Sequence, residues 1–240
     1  MSKRDAVSGK WEQAIAAFAK AHSRIRSIYY PCSCDRVGES FILKDVPPRD
    51  NARKTEIITT HCDPDSIRGL VKGWHFVTVA SPLDTDAEQI KQSFKSGGYR
   101  ALSSEKVFIH DLLDMAKPVA QSLVREVNEK NFALIPQTAI RKRKLCEGVR
   151  HFAIWDEARD YGWVSSLAVD GIGYVSDLFV YEEFRGRGYG TELMRALVLA
   201  QNAEGLRLSV CIASTAGARV YPRVGYLEVG RLQIFCPAKR

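Results

Sequence analysis

Ile15, Phe18, His22 and Ile25 recur at three- and four-residue spacing near the start of the chain. That is the period of an α-helix with one apolar face, so residues 1–28 are predicted as an amphipathic surface helix. From 29 to 60 short apolar runs such as "FILKDV" and "TEIITTH" alternate with turn residues, which predicts β-structure with loops. An Asp-Pro turn at 63–64 opens a short helical stretch to 74. "HFVTVAS" (75–81) reads as a strand. "DTDAEQIKQSFKSGG" (84–98) reads as a helix whose early acids suit its dipole. "SEKVFIHDL" (104–112) is another strand, and residues 113–145 read as mostly helical, with Pro118 and Pro136 as breaks.

Three strands then follow in quick order, over 150–157, 162–170 and 173–181. Asp160-Tyr161-Gly162 and Asp170-Gly171 are turn signals between them, so an antiparallel meander is expected. Beyond a glycine-rich loop the pattern predicts a helix from about Gly190 to Ala203 capped by Gly205. A strand (206–213), a short helix (216–224) and a last strand (226–237) complete the chain. One pattern repeats: Phe94, Gly98, Tyr99 and Phe108 return 127 residues later as Tyr221, Gly225, Tyr226 and Phe235. Each copy follows a strand and a helix, which predicts two halves built alike.

With 240 residues, 45% hydrophobic and 26% charged, the chain can bury the core of one large domain or two small ones. Its net charge of +7 favours anionic partners: nucleic acid, an acidic membrane surface or a phosphorylated small molecule. No apolar run approaches the ~18 residues of a membrane span, and the basic start lacks a secretory pattern. A cytoplasmic protein with reduced thiols is expected, without a membrane partner. "RKRK" (141–144) has no aromatic interleaving and reads as a solvated helix face, so no nucleic-acid partner is expected. Cys211 and Cys236 lie in apolar runs as small hydrophobes. Cys32, Cys34, His61 and Cys62 lack C-x2-C spacing, so no metal is expected.

The stretch "FRGRGYGTEL" (184–193) sets three glycines and two arginines between a strand and a helix. A helix start leaves backbone N–H groups without partners and concentrates partial positive charge. Glycine removes the side chains that block close approach and allows the dihedrals in which N–H groups converge. The product is an anion cradle, to which Arg185 and Arg187 add charge-assisted bonds. No Gly-Lys-Ser/Thr is present, and Gly186, Gly188 and Gly190 do not match G-x-G-x-x-G, so neither a P-loop nor a Rossmann site is indicated.

"VSDLFVYEEFRGRGYGTELMRAL" resembles the signature of the GNAT superfamily of acyl-CoA N-acyltransferases, with Arg185, Gly188 and Gly190 on its R/Q-x-x-G-x-G/A positions. "TAGARVYPRVGYLEV" is similar to the family's second motif, and the resemblance spans roughly 124–237. It implies a mixed α+β (α/β) fold: a central, mostly antiparallel twisted sheet flanked by helices. A smaller N-terminal α/β GNAT-like half-domain is added by the internal repeat. Expected domains are 1–115, degenerate, and 116–240, catalytic. The resemblance implies an N-acetyltransferase with acetyl-CoA as cosubstrate and an amine acceptor, acting in a ternary complex. Leu178, Phe179 and Val180 would line the pantetheine arm. Gly186, Arg187, Gly188, Tyr189, Gly190 and Thr191 would hold the pyrophosphate with Arg185. Tyr221 would protonate the leaving thiolate, and the N–H of Val180 would meet the oxyanion. Some members carry an asparagine where this chain has Ser214, which stands as a weaker cofactor contact.

Asp177 sits among apolar neighbours and by alternation shares a strand face with Phe179. It reads either as the general base or as an acid pairing an arginine at the sheet edge. The first half lacks R-x-x-G-x-G and has Phe94 where Tyr221 stands, so it is expected not to turn over acetyl-CoA and to wall the acceptor pocket. Tyr29, Tyr30, Tyr161 and Trp163 are pocket candidates that strand positions more often place in a core. The basic balance disfavours polycationic acceptors. A monomer or homodimer is expected, and a non-catalytic acyl-CoA-binding regulatory module is the alternative.

Overall fold

The computed structural model of the protein describes residues 3–48, 55–113, 123–135, 146–214 and 217–238, with side chains from Gly9 onward. "RKRK", Pro118 and Pro136 lie outside the described residues. The chain forms two compact units, Met1–Val107 with Glu228–Arg240, and Phe108–Leu227. The chain passes between them inside two strands, rather than once near residue 115, and the last strand belongs to the first unit.

The first unit contains α1 (Lys3–Ser27), β1 (Cys32–Val37), β2 (Ser40–Asp45), β3 (Thr55–Thr59), α2 (Asp65–Arg68), β4 (His75–Pro82) and α3 (Ala87–Ser96). It also holds most of β5 (Tyr99–Asp111) and of the last strand, β11 (Leu227–Pro237). Its strand order is β1-β2-β3-β4-β11-β5. The β3/β4 pair is parallel, and the β1/β2, β2/β3 and β4/β11 pairs are antiparallel. Helix α1 buries Trp11, Ala14, Ile15, Phe18 and Ala21, the stripe its spacing predicts. That stripe ends on Arg26, buried against Asp45 and Glu56 at 3.6 Å each. Asp86 caps α3 by accepting from the N–H groups of Glu88 and Gln89. Ile57, Ile67, Val77, Val79, Ile90, Phe94, Tyr99 and Phe235 form the core.

The second unit contains the end of β5, then β6 (Arg125–Val127), α4 (Glu129–Phe132), β7 (Val149–Trp155), β8 (Asp160–Val169), β9 (Ile172–Val180), α5 (Tyr189–Ala203) and β10 (Leu208–Ala213). Its strand order is β5-β10-β9-β8-β7-β6. β6 to β9 pair antiparallel in sequence, and β10 joins β9 in parallel. Leu193, Met194, Leu197 and Val198 of α5 pack on Phe152, Ile154, Val164, Val175 and Cys211. The opposite face carries Val127, Ala153, Trp155 and Trp163 with Phe132, Phe179 and Tyr181 against them.

Several elements depart from the sequence expectations. The described part of 113–145 holds a three-residue strand and a one-turn helix instead of mostly helix. Arg125–Val127 pairs with β7, and Asn128 starts α4 with a capping box to Asn131. β5 begins at Tyr99, five residues early, because Gly98 at φ 86° turns the chain straight out of α3. The short helix at 216–224 is two 3₁₀ turns, Gly217–Arg219 and Tyr221–Val224. The turn after β7 lies at Asp156–Arg159, closed by the Asp156 N–H to the Arg159 carbonyl, while Asp160, Tyr161 and Gly162 belong to β8. Among the described residues, no helix is long and apolar enough to cross a membrane, and no three His, Cys, Asp or Glu could hold a metal ion.

The repeated positions occupy matching places. Gly98 and Gly225 are both left-handed, at φ 86° and 92°. Phe94 stacks on Phe235 at 4.4 Å in the first unit, and Tyr221 meets Phe108 at 5.3 Å in the second. Each copy's aromatic thus packs on the strand that follows the other copy.

Candidate active site

The second unit is built around an interruption in β9. Trp163 pairs with Phe179 and Ser165 with Ser176, so two residues, Asp177 and Leu178, stand opposite Val164. Asp177 takes φ 55°, in the left-handed region. This is a β-bulge, and it shifts the alternation by one. Val175, Leu178 and Val180 all pack on the α5 side, and Phe179 and Tyr181 on the other. The shared face of Asp177 and Phe179 expected from regular alternation therefore does not hold, because the extra residue resets it. Asp177 is exposed at the bulge.

The bulge coincides with the parting of β9 and β10. Their parallel pairing runs from Leu208/Ile172 to Cys211/Val175 and stops there. Beyond it β9 keeps β8 on one edge only. The Tyr181 N–H donates to the Tyr161 carbonyl on β8 at 3.2 Å. Because successive N–H groups alternate along a strand, those of Leu178 and Val180 point to the other, open edge. The Val180 carbonyl accepts from Arg185 Nε at 3.1 Å. This close approach of β8 and β9 depends on Gly162, where a Cβ would lie 2.4 Å from the Phe179 carbonyl oxygen.

The strand leads through Tyr181 and a 3₁₀ turn (Glu182–Phe184) into the glycine loop. Gly186 and Gly188 have φ of 78° and 87°, and a Cβ on either would meet nothing within 4 Å. The loop thus curls in the left-handed region and opens outward. Gly188 accepts from the N–H groups of Thr191 and Glu192, starting α5. The N–H groups of Gly186 to Gly190 donate to no protein group among the described residues. Gly190 is packed instead: its Cβ would sit 3.5 Å from Val220 and 3.8 Å from Val180.

Tyr221 opens the second 3₁₀ turn and is buried. Its ring lies 5.3 Å from Phe108 and 5.7 Å from Tyr226, and its hydroxyl is hydrogen-bonded with Cys211. Burial, then the Cys211 sulfur, raises its pKa well above the ordinary phenol value. Cys211 is the last β10 residue paired with β9, so Tyr221 stands where the strands part. Gly225 closes the turn at φ 92°, where a Cβ would fall 2.6 Å from His110. Ser214 accepts from the Gly217 N–H at 3.4 Å and its carbonyl from the Ala218 N–H at 3.0 Å, so it caps the first 3₁₀ turn.

Of the residues singled out in the sequence, Asp177 to Val180, Arg185 to Thr191 and Tyr221 gather around the parting of β9 and β10, and Ser214 follows the end of β10. Trp163 is buried in the opposite face and Tyr29 is exposed. Tyr161 packs on Phe184 at 4.7 Å and on Tyr189 at 5.2 Å. Sequence reasoning missed Gly162. Gly162 carried a signal, the glycine itself, but was read as part of a turn.

A family described as acetyltransferase (GNAT) domain matches residues 147–228. No protein of curated function matches the sequence. A GCN5-related N-acetyltransferase from Kribbella flavida has a similar structure, with a TM-score of 0.59 and 13% identity, covering 95% of this chain and 96% of that one. A putative GNAT-family acetyltransferase from Novosphingobium aromaticivorans follows the same course, with a TM-score of 0.55, 11% identity, and coverage of 94% and 97%. A tandem GNAT protein from the clavulanic acid biosynthesis pathway aligns over 98% of this chain and 95% of its own, with a TM-score of 0.53 and 14% identity. These likenesses establish the fold over nearly the whole length, and the matched segment contains the bulge, the loop and Tyr221. Residues 147–228 match the acetyltransferase (GNAT) domain model, and the fold over nearly the whole chain is similar to that of solved GNAT proteins.

Proposed function

We propose that the protein is an N-acetyltransferase that moves an acetyl group from acetyl-CoA to a primary amine of a small molecule or peptide, by direct transfer in a ternary complex. One observation carries this reading: five undirected N–H groups at Gly186 to Gly190 continue into an open edge of β9. Acyl transfer is the chemistry named for the family. The loop suits a pyrophosphate, since left-handed glycines leave its outer side clear and α5 adds its dipole.

When bound, acetyl-CoA supplies the activated thioester. Gly186 to Thr191 hold its phosphates, and Arg185 braces the end of β9 through Val180. The open edge at Leu178 and Val180 pairs with the amide groups of the pantetheine arm. The Val180 N–H is the donor for charge developing on the carbonyl oxygen. Asp177 takes the proton that the acceptor amine loses, directly or through water. Tyr221 gives its proton to the departing thiolate, a role supported by its position beside Cys211, where β9 and β10 part. Ser214 serves the site by capping the turn before Tyr221. The first half, in which Phe94 replaces the tyrosine, is a degenerate GNAT-like unit without this chemistry.

A non-catalytic acyl-CoA-binding module is the second reading, favoured by the burial of Tyr221 and its bond with Cys211. Calorimetry with acetyl-CoA on the native chain and on Gly188→Glu tests the shared premise. Binding lost in the variant supports it, and no binding by the folded native chain refutes it. Release of CoA thiol with a panel of amines then separates the readings. Tyr221→Phe is expected to keep CoA binding and lose at least ~100-fold in turnover; native-like turnover in Tyr221→Phe defeats the assigned role.

A further inference from the structure

The glycine loop is held at its two ends, and both ends meet one side chain. Gly186 and Gly188 offer no side chain to pack, and glycine is the residue whose backbone costs most entropy to order. Phe184, where the loop begins, lies 4.7 Å from the Tyr161 ring, edge to face. Tyr189, where the loop ends and α5 starts, lies 5.2 Å from the same ring. The Tyr161 carbonyl also accepts the Tyr181 N–H at 3.2 Å, so one residue of β8 touches the end of β9 and both ends of the loop.

Tyr161 is itself fixed at its far end. Its hydroxyl donates to one oxygen of Asp156 in the turn after β7, and the other oxygen accepts the N–H groups of Ala158 and Arg159. Those bonds, the Tyr161 one foremost, hold the Asp156 carboxyl below its usual range. The Tyr161 ring packs with Val180 and Tyr189 against the second unit's core. Strand pairing alone does not call for this arrangement. β8 and β9 pair through their backbones whatever stands at 161, and a valine or threonine suits a half-buried strand position equally well. Only a long aromatic side chain with a hydroxyl reaches both loop ends and the turn together.

We propose that Tyr161 is the positioning residue of the glycine loop: it clamps Phe184 and Tyr189, so that the N–H groups between them are ordered before acetyl-CoA arrives. The proposal rests on the acetyl-CoA reading of that loop. Tyr161 acts through its two aromatic neighbours and touches no reacting atom. Ordering a loop in advance removes that cost from the binding step and so raises affinity. A residue first met as a candidate for a pocket wall thus serves the cosubstrate side of the site.

The test is acetyl-CoA calorimetry on the native chain, Tyr161→Phe, Tyr161→Leu, Tyr189→Leu and the double variant Tyr161→Leu/Tyr189→Leu, each checked for a cooperative thermal transition. Tyr161→Leu loses both ring contacts and the Asp156 bond, and should bind about tenfold more weakly. Tyr161→Phe keeps both ring contacts and should stay within about threefold of native. The double variant should lose less than the product of its singles, because their shared contact is lost once. With an amine that supports CoA release, the KM for acetyl-CoA should rise in Tyr161→Leu while kcat stays within about twofold, a split that general loss of structure would not produce. Native affinity in a folded Tyr161→Leu overturns the proposal, as do singles that multiply in the double variant, or a lower kcat at unchanged affinity. If Tyr161→Leu does not fold, Tyr189→Leu carries the test, and native affinity there overturns the proposal equally. A native chain that does not bind acetyl-CoA overturns the reading of the loop itself.

Discussion

Gly162→Ala tests how the site is held open. The added methyl would sit 2.4 Å from the Phe179 carbonyl oxygen and 3.1 Å from Val180 Cα and Cγ2. An unstrained carbon–oxygen contact is about 3.3 Å, so β8 and β9 must part by roughly 0.9 Å. The obstacle is backbone, which cannot rotate away as a side chain would. Overpacking of this kind costs about 1–3 kcal/mol, and the lower chain entropy of alanine returns about 0.5–1 kcal/mol. A net loss of about 1–2 kcal/mol is expected, read as a lower urea midpoint at unchanged slope. The strain falls on Phe179 and Val180, so acetyl-CoA affinity should fall by about tenfold or more in calorimetry even where the variant is fully folded. Gly9→Ala is the control: a Cβ there meets nothing within 4 Å, and the helix should gain stability. A Gly162→Ala protein with native stability and native affinity would refute the claim that close approach at this glycine shapes the binding edge.

Two further outcomes concern the first unit. Burial by itself would raise the pKa of Glu56, but the His22 hydrogen bond at 3.1 Å, the charge of His22, the Thr78 hydroxyl at 2.9 Å and Arg26 outweigh it and hold the carboxyl below its usual value. A depressed carboxyl contributes stability above its unfolded pKa and loses it as pH falls through the folded one. Glu56→Gln should cost about 3 kcal/mol at pH 7, since it leaves buried Arg26 short of charge, and should flatten the fall in urea midpoint below about pH 4.5; an acid limb as steep as the native one would sink this account. Phe235→Ala, at a position 1% exposed and stacked on Phe94, should cost about 3–5 kcal/mol by the same assay. A loss under 1 kcal/mol would mean that β11 adds little to the first core.

The loop was legible because its chemistry is local: three glycines and two arginines in one short stretch announce an anion cradle whatever surrounds them. Tyr221 and Gly225 were legible for the same reason, four residues apart on one turn. The bulge at Asp177 was not, because an extra residue in one strand is defined only by the register of its neighbour. Gly162 misled for a related reason. Glycine after Asp-Tyr fits a turn, yet here it serves the approach of another strand, and the turn lies earlier at Asp156. The three-residue β6 is too short to show a period. The membership of β11 in the first unit was also hidden, since nothing in "LQIFCP" says which core receives Phe235.

That return of β11 sets an order on the birth of the protein. The ribosome delivers the first unit's helices, β1 to β4 and most of β5 early, but its core lacks Phe235 until β11 has emerged. The second unit, by contrast, has its own segment complete at Leu227. The half that begins first is therefore completed last, and a stalled or clipped chain lacking Glu228 onward would keep the glycine loop and Tyr221 while leaving the first unit's core unsealed and exposed to proteases.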